Sequence, residues 1–175
     1  GLLEIHNGSM FHARQTVLSP LGRVQMSFTH ALGLCEEAAF TNCNLAPLRL
    51  RRDIGILGFS HRCNLNRMQP LISSMFCHIR ANYLQTHDKH ARQLESHQHL
   101  VRFMPQLYRC SIFGMIHVYN NLPQSVIEVN NVSGFQAKLA EVVKHKCVAR
   151  DTNWSSFFPP IHMTYFNSIK SGISF

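Results

Sequence analysis

The chain has 175 residues, 17 Lys+Arg against 9 Asp+Glu, a formal net charge of +8 and 45% hydrophobic residues. That is the size of one ordinary domain with material for a core, and its basic excess favours polyanionic partners. No apolar run reaches the roughly 18 residues of a membrane-spanning helix, and GLLEIHNGSM at the start lacks the basic and apolar regions of a secretory signal, so a non-secreted intracellular piece (nuclear or cytoplasmic) of a longer protein is expected.

Residues 1–17 lack clean periodicity and read as an N-terminal extension. Ser19 before Pro20 predicts an N-cap and a proline-led helix, with Leu21, Val24, Phe28 and Leu32 as its apolar face and Gly33 as its end. Glu36 and Glu37 open a short second helix through Phe40, where their charge suits the N-terminal dipole. Asn44 and Pro47 announce a third, with Leu50, Ile54, Leu57 and His61 at helical spacing and Arg49, Arg51, Arg52 and Arg62 on its flanks. Gly55 and Gly58 inside it each cost about 1 kcal/mol relative to Ala and predict close packing or a weak helix. Pro70 begins a short apolar piece, Leu71 to Ile79.

Residues 80–108 are polar and histidine-rich and read as a connection. Ser111 to Leu122 predicts a buried helix through Phe113, Ile116 and Tyr119, stopped by Pro123. Ser133 and Gln136 form a potential capping box for a helix whose stripe is Phe135, Leu139, Val142 and Val143, with Lys138, Lys144 and Lys146 outside it. Residues 151–175, with Pro159-Pro160, read as an irregular tail. The expectation is an all-α fold: a small irregular bundle of about four to six helices over 18–150, around one modest core.

Little in this pattern points to catalysis. Two-metal chemistry needs clustered carboxylates, and the three aspartates, Asp53, Asp88 and Asp151, lie far apart in sequence. No Gly-rich phosphate loop, HExxH or GxSxG occurs. The six cysteines include no CxxC, so zinc-ribbon spacing is absent and buried free thiols are expected. His87, His90, His97 and His99, with Cys77 and His78 upstream, form a histidine cluster; solvated imidazoles are favoured over a metal site because the spacing fits no zinc module. Neither a metal nor another cofactor is expected. Charge is concentrated at 61–110, where seven basic side chains meet two acidic ones.

Four stretches, in order, carry a family resemblance: LSPLGRVQMSF at 18–28, NLAPLRLRRDIGILGFSHR at 44–62, RCSIFGMIHVYNNLPQSVIEV at 109–129 and VSGFQAKLAEVVK at 132–144. Together they resemble the C-terminal region, thumb-proximal and downstream of the palm, of the reverse transcriptase of LINE-type (non-LTR) retrotransposons. They look like its "ERVQ" helix, its "LAPLSLRRDI…LGLLH" segment, its "RS…VYN-LP" segment and its closing "SV-EFQ-L" helix. The resemblance implies a non-catalytic helical accessory region. The paired aspartates and Mg²⁺ of such polymerases belong to the palm upstream. It also implies contact with template RNA or target DNA, and packing on the palm and thumb of the same polyprotein, with no membrane or small-molecule partner. The arginines matching the family's basic helix are Arg49, Arg51 and Arg52, and Arg62 on the same helix joins them as a candidate. Gly22, Met26 and Ser27 depart from the family's "ERVQRR", and the low charge content suggests a drifted copy or fragment. The rival expectation is a structural remnant that packs on the upstream polymerase domain and binds no nucleic acid alone.

Overall fold

The computed structural model describes residues 15–76, 92–95, 108 and 111–158. Within them the fold is all-α, with no strand. The helices are α1 (Gln15–Ala31), α2 (Glu36–Cys43), α3 (Leu48–Asn64), α4 (Pro70–Ser73), α5 (Ile112–Asn120), α6 (Gln124–Ile127) and α7 (Val132–Val148), followed by a 3₁₀ turn at Trp154–Ser156. Two of the seven, α4 and α6, are single turns of 4 residues led by Pro70 and Pro123. Proline suits such starts because the first helical N–H has no intrahelical partner anyway.

Two compact units form. The first takes the described residues up to Ile56 and those from Gln136 to Phe158. Its buried side chains include Phe40, Leu48, Leu50, Ile54, Leu139, Val143 and Trp154. Trp154 stacks on Phe40 with ring centroids 5.4 Å apart, so residues just past Asp151 supply core side chains. The second unit runs from Leu57 to Phe135 and buries Leu57, Leu94, Met115, Ile116, Tyr119, Ile127 and Phe135. There Phe76 stacks on Phe113 at 5.6 Å and meets Phe59 edge-on at 6.4 Å.

The predicted apolar stripes of α3 and α7 are buried. Leu50, Ile54, Leu57 and His61 turn inward on α3, and Phe135, Leu139 and Val143 on α7. Gly33 ends α1 at φ 70°, where Leu34 N–H reaches Thr29 O (3.0 Å) and Gly33 N–H reaches His30 O (2.9 Å). This is the left-handed closure that glycine permits without a Cβ clash. Asn66 after α3 and Arg150 after α7 adopt the same hand, at φ 54° and 58°.

Other expectations are corrected. Helix α1 begins at Gln15, not at Pro20, which lies inside it. Its predicted face is largely turned outward: Val24 is 62% exposed, and Phe28 and Leu32 are each 56% exposed. The buried positions are Leu18 and Thr29, with Gln25 half-buried between them. A polar side chain can occupy a packed face when its hydrogen bonds are made there, and Gln25 meets that condition. The cap of α7 is Asn131, whose Oδ1 accepts from Gly134 N–H at 2.5 Å, in place of the Ser133/Gln136 box. Cβ at residue 134 would come within 2.8 Å of that oxygen, which explains the glycine. Gly55, by contrast, has open space around it and makes no close approach. Of the cysteines, Cys63 and Cys147 are buried free thiols, but Cys35 and Cys43 are exposed. Cys35 sits outside the core because it caps α2, its Sγ accepting from Ala38 N–H at 3.4 Å.

Candidate nucleic-acid interface

The first turns of α3 carry the basic residues, and three contacts set their geometry. Pro47 O accepts from Arg51 N–H at 3.0 Å, closing the first turn. Gln25 of α1 donates through Nε2 to Ala46 O at 3.0 Å. Its Oε1 accepts from an Arg51 guanidinium nitrogen at 2.9 Å. One glutamine thus fixes both the backbone entering α3 and the direction of Arg51.

The remaining arginines differ. Arg49 is exposed. Arg52, three residues on and therefore on the same helix face, is only 7% exposed. Its guanidinium makes no hydrogen bond or ion pair among the described residues. Burial lowers the Arg52 pKa, and Asp53 partly restores it while Arg49 and Arg51 oppose that restoration. The arginine nevertheless stays charged, because guanidinium titrates so far above neutrality. Asp53 is also 7% exposed, and burial pushes its carboxyl up to about 7 against the pull of Arg49 and Arg52. Arg62 belongs to the second unit, is exposed, and turns its Nε onto Arg67 O at 3.2 Å. The fold therefore gathers Arg49, Arg51 and Arg52 on one half-helix in one unit and assigns Arg62 to the other.

A second polar constellation occupies the core of the second unit. His61 is fully buried and stacks on Phe135 with centroids 4.1 Å apart and planes 6° from parallel. Its Nε2 lies 2.7 Å from Val129 O, and its Nδ1 3.0 Å from the Tyr119 hydroxyl. A carbonyl can only accept, so Nε2 carries the proton and Nδ1 accepts from Tyr119 O–H. Burial pushes the Tyr119 phenol up, keeping it a donor. The residues from Arg92 to Glu95 are tied beside it by amides. Asn64 donates to Arg92 O at 2.7 Å, and Asn120 pairs with both backbone groups of Leu94, at 2.9 and 2.7 Å. Arg92 in turn donates to Ile127 O and Asn130 Oδ1, both at 3.0 Å. With its ring atoms committed inside the core, His61 serves packing.

The spaced aspartates stay separate in role: Asp53 is buried on α3, and Asp151 pairs with Lys146 at 3.6 Å, while Asp88 lies outside the described residues. The histidine cluster at 87–99, with Cys77 and His78, also lies outside them. Among the described residues no three His, Cys, Asp or Glu side chains are grouped to hold a metal ion. No helix there is long and apolar enough to cross a membrane. Sequence reasoning missed Gln25. The available signal was its place between Leu18 and Thr29, at steps of seven and four along one face of α1. No protein-family model, no curated protein and no solved structure matches the chain.

Proposed function

We propose that this chain is a non-catalytic accessory region of a LINE-type retrotransposon reverse transcriptase, acting inside the cell, that contacts the phosphates of RNA or DNA through Arg49 and Arg52. The observation that carries the reading is the placing of Arg49 and Arg52 on one face of α3: Arg49 is exposed, and Arg52, although 7% exposed overall, has no nitrogen among the buried atoms without a partner, so its guanidinium reaches the surface. A guanidinium that reaches the surface without an ion-pair partner can fork onto an incoming phosphate. Arg49, exposed and one turn away on the same face, would meet the same strand. Arg51 is committed to Gln25 and serves the helix more than the ligand.

The test is binding of the chain to a fluorescent RNA hairpin and a matched DNA duplex at about 50 mM salt. Arg49→Ala removes an exposed side chain and should weaken both ligands by a similar factor, because phosphate contacts carry no sequence information. Arg52→Gln should do the same. Unchanged binding by both variants would dismiss this surface.

A second reading, that the chain packs on an upstream polymerase domain and binds no nucleic acid alone, is favoured by one observation. Val24 and Phe28 on α1 and Leu32 just past its end are exposed apolar side chains at four-residue steps. Association through these side chains would be nearly insensitive to salt, because apolar burial is.

A further inference from the structure

We infer that Asp53 is a pH-sensitive latch of the first unit: its carboxylic acid is the form that fits the folded unit, and its ionisation loosens that unit. The geometry supports this directly. Asp53 is 7% exposed, and its Oδ2 is buried without a hydrogen-bond partner. Two arginines stand near it on α3, yet neither forms an ion pair with it. A carboxylate oxygen removed from water without a partner disfavours the ionised form and favours uptake of a proton. The charged groups that act on Asp53 are Arg49 and Arg52, on its own helix. The side chain that α1 sends to this region, Gln25, is uncharged and occupied by Ala46 and Arg51. Among the described residues no charge on α1 (Arg23), α2 (Glu36, Glu37) or the first-unit part of α7 (Lys138, Glu141, Lys144, Lys146) is a cause of its shift.

The direction follows from linkage. The folded carboxyl, at about 7, sits above its unfolded value of about 3.9. The stabilisation is therefore complete below about pH 4 and is lost as pH rises through about 7, so stability falls with pH. These two values make the folding equilibrium constant fall on the order of a hundredfold between pH 5 and pH 8. Histidines titrate in the same interval, so the decisive readouts isolate Asp53.

The chain has three aspartates, Asp53, Asp88 and Asp151, so ¹³Cγ-Asp labelling gives three carboxyl signals. One should titrate near 7 in the folded protein. Urea midpoints should drop more steeply from pH 5 to pH 8 in the wild type than in Asp53→Asn, which keeps the shape and cannot ionise. Three carboxyl signals all titrating near 4 would overturn the latch, whether or not Asp53→Asn folds. So would equal pH profiles for wild type and variant.

Discussion

His61 shows how much one buried polar residue can commit. It stacks on Phe135 and uses both ring nitrogens, one toward Val129 O and one toward Tyr119. Replacing it with Phe keeps the stack but removes the partner of a part-buried carbonyl and of a buried hydroxyl. The buried hydroxyl left unpaired costs about 1–3 kcal/mol and the part-buried carbonyl about 1 kcal/mol, so His61→Phe should lower unfolding stability by about 2–4 kcal/mol in urea titration. Tyr119→Phe should cost less, because it strands only the acceptor Nδ1. The inward position of His61 was legible in the sequence, since it continues the Leu50, Ile54, Leu57 spacing of α3. Its partners were not, because Tyr119 and Val129 are 58 and 68 residues away and no local rule pairs them. Arg52 presents the converse. Its neighbours Arg49 and Arg51 announced a basic flank, but burial of the last arginine of the run depends on how α3 is covered, which periodicity alone does not report.

Among the elements, α3, α5 and α7 follow their patterns because most positions of their inward stripes are apolar. Helix α1 does not, because hydrophobicity marks one face while packing uses another. The Gln25 amide pays for its burial with two hydrogen bonds, to Ala46 O and from Arg51. Pro20 inside α1 shows a similar override: the residue reads as a helix start but is tolerated within. The helix ends offer sharper tests. Arg150 holds φ 58°, a left-handed conformation that costs a non-glycine residue roughly 1–2 kcal/mol. Arg150→Gly should therefore raise stability by about 0.5–1 kcal/mol after the greater freedom of unfolded glycine is counted. Gly55 lies inside α3 with open space at its Cβ position. Gly55→Ala should raise stability by about 1 kcal/mol. Thermal or urea unfolding of the two variants checks both, and a loss in either would contradict the cap or the open space assigned here.

At the scale of the whole molecule, the all-α class was legible from spacing and punctuation alone, since Gly33, Pro47, Pro70 and Pro123 each stand at or beside a helix boundary. The division of burial into two units was not, because α3 and α7 each contribute to both and nothing in their sequences marks the change. The proposed accessory role and the net charge of +8 lead to one consequence that separates the two functional readings. The most direct measurement is the dissociation constant for a short RNA hairpin as salt is raised from about 50 to 200 mM, for the wild type and for Arg49→Ala. The proposal predicts a logarithmic plot falling steeply with salt, losing on the order of tenfold to a hundredfold for three or four phosphate contacts, with a slope smaller by about 1 in the variant. Binding that is absent at low salt, or that ignores both salt and Arg49, would contradict it.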